Sequence, residues 1–377
     1  MKYAFVKSFA ANCHLLAFNL SKDKTPPSYS QQALFAAGND VDAIALETIL
    51  KPYHTMMATS TPHGDWLATQ SAIANGIAKI NQATFKVGET YIRVDSIDLE
   101  CMKLTEVKAG SSVKDDYIID LALQEFFLRQ VGMRNDKFSL ILREKSFVTG
   151  SPWNEALREV DVTSDVKSLL EQDDFIHFVE VFEAGYDSAP QPVFGKVCKT
   201  CDFKGQCWSE LEHPSFTIPR SSDKLLAHII SNEAYELSTV SSSVLTQNQI
   251  SYKDSTLNSE ISISKSGLIA DLNQFTGPIA HLDFEAFNLP YNPSKNTKTF
   301  EMVPFQASIH LEGVDGSISH FEHLCSHQYD DRESLAAFLV ANLAVANTIV
   351  TWNVSFEDEC SSTLLALFQS IQRTLAT

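Results

Sequence analysis

The stretch RVDSIDLECMKLTEVKAGSSVKDDYIIDLALQ, residues 93–124, contains two short segments in which apolar and polar residues alternate. Such alternation, interrupted by a polar turn, predicts two paired strands, over 91–99 and 103–108. Successive side chains of a strand point to opposite faces of the sheet, so Glu106 and Lys108 share a face and Val107 points the other way. This hairpin is the part of the sequence that decides the fold.

The charges on the hairpin suggest a metal site. Asp95, on the first strand, can reach the face of Glu106 and Lys108. Two carboxylates and an ammonium that converge are costly unless they pair with one another or a divalent cation neutralises the acids. A solvated edge strand, in which Glu-x-Lys is common, is the simpler alternative. After the hairpin, helical spacing predicts a helix with one face formed by Tyr117, Leu121, Gln124 and Leu128.

This order of strand, strand and helix resembles the core of the PD-(D/E)XK nucleases, and in particular their RecB-like branch. The resemblance implies an α/β, restriction-endonuclease-like fold in which Asp95, Glu106 and the backbone carbonyl of Val107 bind Mg²⁺ or Mn²⁺. It places Lys108 beside the attacking water or the scissile phosphate and Gln124 in support of the site. Leu128 stands where that family usually has Tyr, so the last part of the helix motif is absent.

An amphipathic helix is predicted upstream, over about 31–50. Its inner face is expected to carry Leu34, Val41, Ile44, Ala45 and Thr48. Relatives in the nuclease family often have a His three residues after a glycine, and counting from Gly38 this position is Val41. Glu47 is then the nearest candidate for an acidic ligand, and an ordinary solvated helix residue is the alternative.

Four of the seven cysteines form a second candidate site. Cys198, Cys201 and Cys207 follow the pattern C-x2-C-x5-C, and Cys13 lies far upstream. The sequence has no apolar signal segment and no run of about 18 apolar residues, which predicts a cytoplasmic protein. In a reducing compartment, clustered thiols are more often metal ligands than disulfides. Four thiolates suit either Zn²⁺ or an iron–sulfur cluster.

The one-plus-three spacing of these cysteines resembles the 4Fe-4S staple of AddB-type nucleases and their CRISPR-associated relatives. The resemblance implies a structural cluster that joins the two ends of the nuclease domain. A zinc site with three thiols, completed by His14 or His213, is the alternative. The remaining cysteines are isolated and are expected to pack in the interior, namely Cys101, Cys325 and Cys360.

The character of the sequence changes after Cys207. Residues 209–266 are rich in Ser, Asn, Thr and Gln and predict a polar connector with a helix near 222–238. From Pro278 onward the pattern predicts a strand, two further strands, a helix, and a strand that runs into a last helix. The first of these strands brings Asp283 and Glu285 to one face, where Asp-x-Glu can hold divalent ions.

Together with WNVSFE, this block resembles the DnaQ-like exonucleases of the RNase H fold. The resemblance assigns Asp283 and Glu285 to the first acidic motif and Asn353, Phe356 and Glu357 to the second, with Glu in place of Asp. The third acidic motif and the last helices of that fold are missing from the sequence. The block is therefore expected to be an incomplete module that binds metal weakly at most, and either a protein partner supplies the missing parts or the gene is truncated.

The balance of charges limits the kind of partner. Twenty-nine basic residues face 47 acidic ones, which gives a net charge of −18. Because contacts from Lys and Arg to phosphates dominate affinity for nucleic acid, such acidity argues against extensive coating of DNA. A confined basic strip in and after the hairpin remains compatible with DNA binding, formed by Lys103, Lys108, Lys114, Arg129, Arg134, Lys137, Arg143 and Lys145.

Three domains are predicted: a RecB-like nuclease domain over 1–212, a partly helical polar connector over 213–277, and a partial RNase H-like module over 278–377. The whole order resembles an uncharacterised bacterial fusion family catalogued as a domain of unknown function. The expected activity is metal-dependent hydrolysis of phosphodiester bonds, most readily in DNA, by a protein with no membrane association. Two alternatives are a non-catalytic adaptor that binds nucleic acid or protein through decayed metal sites, and a redox or sensing protein built on the four thiols.

Overall fold

The computed structural model describes residues 2–261, 263–292, 296–326 and 330–375. The chain is a mixed α/β structure with two sheets, one in each half of the sequence. Helices and a polar segment rich in short turns lie between the two sheets along the chain. The α/β class expected from the sequence is therefore confirmed.

The first sheet has six strands in the order in which they occur along the chain. They are β1 (His54–Thr55), β2 (Lys79–Val87), β3 (Thr90–Asp98), β4 (Lys103–Lys108), β5 (Lys137–Arg143) and β6 (Leu157–Asp161). β2, β3 and β4 form an antiparallel meander, and β5 pairs parallel to β4. A parallel neighbour requires a crossover, and the helix that follows β4 supplies it. The predicted hairpin thus corresponds to β3 and β4.

Seven helices accompany this sheet. They are α1 (Lys2–Ala10), α2 (His14–Lys22), α3 (Tyr29–Glu47), α4 (Pro62–Ala74), α5 (Asp115–Gln130), α6 (Thr163–Leu170) and α7 (Asp173–Ala184). One apolar core joins α1, α5, α6 and α7 to the sheet, with Phe5, Leu104, Leu121 and Phe175 at its centre. A smaller core on the other face joins α3 to β4 and β5. The sheet is therefore covered on both faces.

The prediction for α3 was wrong in its first half. Val41 and Ala45 are fully buried against the sheet, as expected. Leu34, however, is 68% exposed, and its neighbour Phe35 is 59% exposed. The apolar spacing alone did not show that only the C-terminal half of the helix meets the sheet.

The segment between the sheets contains short helices and a small core of its own. The helices are α8 (Lys204–Cys207), α9 (Asp223–Ser231), α10 (Gln247–Leu257) and α11 (Lys265–Leu272). Apolar residues of the predicted connector, such as Phe216 and Leu225, pack in one cluster with Cys198. The part of the connector up to about residue 257 is therefore packed together with the cysteine-rich segment.

The second sheet has four strands in the order β10-β7-β8-β9. These are β7 (Ile279–Phe287), β8 (Val303–Glu312), β9 (Ile318–Leu324) and β10 (Thr348–Val350), and they are accompanied by α12 (Arg332–Leu343) and α13 (Val354–Leu375). The first three strands are antiparallel, and β10 returns parallel to β7. Buried residues of β7 and β8 pack against α12 and α13, which cover one face of the sheet.

The loop between β7 and β8 contacts the first half of the chain. The Thr149 N–H donates to the Thr297 carbonyl oxygen at 2.9 Å. The Phe300 ring lies 3.8 Å from the guanidinium carbon of Arg143, and Tyr291 joins the small core under α3. The two halves are thus held together by this loop as well as by the chain that links them.

No described helix has the length and apolar character needed to cross a bilayer.

Candidate functional site

Strands β3 and β4 separate at the position of the two predicted acids. Their pairing runs from Asp98–Lys103 to Ser96–Thr105, and Asp95 and Glu106 are the next residues on each strand. Residues opposite each other on antiparallel strands share a face. The Val107 N–H, no longer used in the ladder between these strands, donates to Asp95 Oδ2 at 2.8 Å. This hydrogen bond fixes the Asp95 carboxylate beside the Glu106 backbone.

Lys108 bridges two buried carboxylates. Its Nζ donates to Glu106 Oε1 at 2.7 Å and to Asp120 Oδ2 at 2.6 Å. Glu106 and Asp120 are each only 3% exposed. Glu106 comes from β4 and Asp120 from α5, so the lysine connects the sheet to the helix that packs on it.

Gln124 holds the same two carboxylates from the other side. Its Nε2 donates to Glu106 Oε2 at 2.9 Å and to Asp120 Oδ1 at 3.0 Å. Asp120 and Gln124 are four residues apart on α5, so they are neighbours on one face of the helix. Gln124 Oε1 is buried and has no hydrogen-bond partner among the described residues. Both oxygens of each carboxylate are therefore tied to either Lys108 or Gln124.

The electrostatics of this cluster keep Lys108 charged. Burial alone would lower the pKa of Lys108, but the negative charges of Glu106 and Asp120 outweigh it and hold the pKa above its ordinary value. The Tyr117 ring lies 5.7 Å from the ammonium. Two carboxylates thus meet one ammonium, and Asp95 adds a third carboxylate beside the Glu106 backbone.

The structure brings together the four residues that the sequence singled out as catalytic, namely Asp95, Glu106, Lys108 and Gln124. Asp120 belongs to the same cluster and was missed. It was detectable in principle, because it lies four residues before Gln124 and three after Tyr117, on the helix face already assigned to the site. The apolar residues on either side of it made this part of α5 resemble a plain core helix.

Glu47 differs in position from the other predicted ligands. It is the last residue of α3, and its side chain is exposed. Val41 and Ala45 of the same helix pack on the face of the sheet to which Val107 points. Glu106 and Lys108 lie on the opposite face, together with α5. The structure thus shows no contact that would join Glu47 to the carboxylates described above.

The four predicted cysteines line one small cavity. Cys13 caps the N-terminus of α2, and the three others lie on the segment that ends with α8. Burial, with the neighbouring thiols, raises the pKa of Cys207 to about 11 and also raises the pKa of Cys198. The thiols that act on Cys207 in this way are those of Cys13, Cys198 and Cys201.

No three of the four cysteine sulfur atoms lie within 4.8 Å of one another in the described part of the chain. A tetrahedral zinc ion, with Zn–S bonds of about 2.3 Å, would draw its sulfur ligands to about 3.8 Å from one another. Four thiolates as such suit either zinc or an iron–sulfur cluster. His14, the possible extra zinc ligand, instead contacts the Tyr186 hydroxyl at 2.8 Å.

Two backbone N–H groups point at the sulfur atoms. The Gly195 N–H donates to Cys198 Sγ at 3.3 Å, and the Leu16 N–H donates to Cys13 Sγ at 3.4 Å. Hydrogen bonds to sulfur are a normal part of iron–sulfur sites, where they help to set the potential. The cavity therefore has the donors that such a site needs.

The acids of the second sheet are not brought together. Asp283 and Glu285 lie on the face of β7 that α12 and α13 leave exposed. Glu357 is 3% exposed and lies in the first turn of α13, on the covered side, and its Oε2 has no hydrogen-bond partner among the residues described. Their ligand atoms do not lie within 4.8 Å of one another in the described structure. The predicted order of strands and helices in this unit is confirmed.

The eight basic residues expected to form one strip are spread over several surfaces. Lys103 and Lys108 lie at opposite ends of β4. Arg143 is fully buried beneath Phe300. Arg129 pairs with Glu125 at 2.7 Å. A nucleic acid that approached the site would therefore meet only part of this set.

Residues 280–377 match a family model described as "Domain of unknown function (DUF2779)". The match covers about a quarter of the chain and carries no activity or substrate. No curated protein matches the chain.

Proposed function

We propose that the first sheet and its helices form a Mg²⁺- or Mn²⁺-dependent nuclease of the PD-(D/E)XK type, with DNA as the expected substrate. The observation that carries the proposal is the buried cluster in which Lys108 meets Glu106 and Asp120. It lies beside Asp95, where two strands separate. The hairpin of β3 and β4, followed by α5, also agrees with the order that the resemblance implies.

The donor set suits a hard divalent cation. Carboxylate and carbonyl oxygens are the ligands that Mg²⁺ and Mn²⁺ prefer. Asp95 and Glu106 would hold the ion, with the Val107 carbonyl as a backbone ligand. The excess of carboxylates over ammonium groups leaves negative charge that a cation would compensate. Such an ion, when bound, would lower the pKa of a water molecule and stabilise charge on the phosphate.

The side chains of the chain would supply positioning and charge. Lys108, held as an ammonium, would offset the negative charge that builds on the phosphate in the transition state. Gln124 would keep the Glu106 carboxylate in place, since its amide donates to Glu106 Oε2. Asp120 would orient Lys108 from the helix side. None of these groups needs to move far, because β4 and α5 are packed against each other in the core.

The second part of the proposal is a 4Fe-4S cluster at the four cysteines, with zinc as the alternative. Cys13, Cys198, Cys201 and Cys207 would hold it, and the cluster would supply structural cross-linking at a site remote in sequence from the catalytic residues. It would tie the turn between α1 and α2 to the segment around α8. The cavity that the four cysteines share and the two N–H groups at the sulfur atoms support this assignment.

The decisive experiment is a cleavage assay with labelled single- and double-stranded DNA. Anaerobically purified protein is incubated with Mg²⁺, Mn²⁺ or EDTA, and wild type is compared with Glu106→Gln and Lys108→Ala. Both variants are expected to lose at least a hundredfold in rate while keeping the wild-type circular dichroism spectrum. Lys224→Ala, an exposed lysine on α9, serves as the matched control and should cut like wild type.

The competing candidate is the non-catalytic adaptor. One observation favours it: Lys108 neutralises Glu106 and Asp120 without any added cation. If wild type binds DNA but does not cut it with either metal, the adaptor is correct and the nuclease proposal fails. Cleavage that persists in a folded Glu106→Gln variant would instead show that the active site lies elsewhere in the protein.

A further inference from the structure

The end of β9 and the start of α12 bring three metal-binding side chains together. His323 lies on β9, and Cys325 follows it two residues later, so both point to the same face. The Cys325 N–H still pairs with β8, donating to the Phe305 carbonyl at 2.8 Å. The His323 ring stacks near Phe338 of α12, with 5.5 Å between ring centroids. That face is therefore the one covered by the helix.

Asp331 completes the group from the other side of the connection. It directly precedes α12, and its Oδ2 accepts a hydrogen bond from the Ser326 N–H at 3.2 Å. The same oxygen lies 3.9 Å from His323 Nε2. The Cys325 thiol donates to the Asp331 carbonyl oxygen at 3.6 Å. The imidazole nitrogen, the sulfur and the carboxylate oxygen all lie within 4.8 Å of one another.

A ring nitrogen of His323 is the unsatisfied polar atom of this group. His323 Nε2 is buried and has no hydrogen-bond partner among the described residues. Buried polar atoms are normally satisfied, and an exception calls for an explanation such as an ion. The Nε2 atom faces the Asp331 carboxylate at a distance too long for a hydrogen bond but suited to two ligands of one metal.

We propose that His323, Cys325 and Asp331 bind a divalent transition-metal ion of the zinc class. Imidazole nitrogen, thiolate sulfur and carboxylate oxygen are the three ligand types that zinc takes, at about 2.0–2.3 Å. Ligands at these bond lengths are about 3.5 Å apart in a tetrahedron, so the three side chains need to close only slightly. The thiolate and the carboxylate together balance the charge of the ion, and the fourth position is open to water.

The surroundings favour Asp331 as the acidic ligand over its neighbour. Asp330 is bound by Arg332 through two hydrogen bonds, at 2.8 Å from Nε and 2.6 Å from Nη2. That pairing neutralises Asp330 and holds its side chain toward Arg332. The side chains of His323 and Asp331 are 22% and 18% exposed, so an ion can reach them from solvent. Once bound, the ion would clamp the end of β9 to the start of α12.

The test uses full-length protein that has been treated with EDTA. Zinc is added, and the metal bound per chain is measured for wild type, His323→Gln and Cys325→Ser. Wild type is expected to bind one more equivalent than either variant. Reconstitution with Co²⁺ should give a thiolate-to-cobalt absorption band that is absent in Cys325→Ser. Because each spectrum is compared with a variant that retains the four-cysteine site, any iron–sulfur absorption cancels.

Matched control variants show whether a loss of zinc binding is specific to the proposed ligands or a general effect of substitution. Cys101→Ser and His320→Gln change the same residue types at exposed positions and should bind zinc like wild type. If Cys325→Ser does not fold, Asp331→Asn, with nearly the same volume, is used instead and should weaken zinc binding at least tenfold. Equal stoichiometry in wild type and all folded variants, with no cobalt band assigned to Cys325, overturns the proposal.

Discussion

Lys108 has a structural role in the core besides the catalytic role proposed for it. Its ammonium neutralises two carboxylates that would otherwise repel each other in the core. Removing one partner of such a buried group leaves uncompensated charge, which costs about 3–5 kcal/mol in other proteins. The site is therefore expected to be stable only when all its members are present, whether or not a substrate is bound.

The raised pKa of Lys108 leads to a prediction about pH. Since the folded pKa exceeds the unfolded value of about 10.4, the stability that this lysine contributes is fully present below about pH 10. It is lost only as the pH rises through the higher, folded pKa. Urea unfolding of wild type and Lys108→Met should therefore differ by the same free energy at pH 7 and pH 9. A difference that changes between these values would mean that the pKa of Lys108 in the folded protein is not raised.

Asp120 provides a second prediction at the level of the residue. If it orients Lys108, then Asp120→Asn should lower kcat of DNA cleavage about ten- to a hundredfold and leave KM for DNA nearly unchanged. The matched control is Asp115→Asn, an exposed acid in the first turn of the same helix. Full activity in a folded Asp120→Asn variant would show that the acid serves only the stability of the core.

The sequence predicted the helices and strands more reliably than it predicted which of them pack against one another. Alternation identified β3 and β4 because polar and apolar side chains take turns along them, as where Glu106 and Lys108 face α5 and Val107 lies under α3. The same reasoning fails for α3, because nothing in its own sequence reveals how far the sheet extends beneath it. It also fails for Asp331 and Cys325, whose approach depends on the path of the chain between β9 and α12. A ligand set drawn from two separate elements has no local sequence pattern.

Strand β4 allows its two faces to be tested separately. Val107 lies in the core under α3, whereas Glu106 and Lys108 face α5. Val107→Ala should lower the free energy of unfolding by about 2 kcal/mol, as expected for the loss of two buried methyl groups, and should retain nuclease activity at a temperature where the variant is folded. Glu106→Gln should lose activity. Loss of activity in folded Val107→Ala would mean that the site is sensitive to the position of β4.

For the whole molecule, the main proposed cross-link is the cluster or metal ion at the four-cysteine site. It would join residue 13 to residues 198–207, and closing so long a loop restricts the unfolded chain. Cys13→Ser should therefore lower the melting temperature by several degrees, together with loss of iron or zinc from the purified protein. Cys101→Ser, at an exposed cysteine, should change neither. Unchanged metal content in Cys13→Ser would exclude Cys13 as a ligand.

The middle of the chain packs in a way that its polar composition did not indicate. Phe216 and Leu225 of the polar connector share a core with Cys198. The composition of the segment suggested a linker because the Ser and Thr residues in its turns outnumber the apolar residues that form this core. The net charge was also a weak guide to DNA binding. It does not show that Arg143, one of the basic residues expected in the DNA-binding strip, is buried.

The loop between β7 and β8 has a consequence for how the molecule can be divided. Its backbone pairs with Thr149, and its Tyr291 and Phe300 rings pack on the first half of the chain. A protein nicked between α11 and β7 would therefore keep its two fragments associated, in the manner of a split protein that reassembles. Fragments that are expressed separately, from a gene divided at the same place, would each expose an apolar surface that promotes association. The boundary between the two sheet-containing units along the sequence therefore differs from the surface at which these units would come apart in the folded protein.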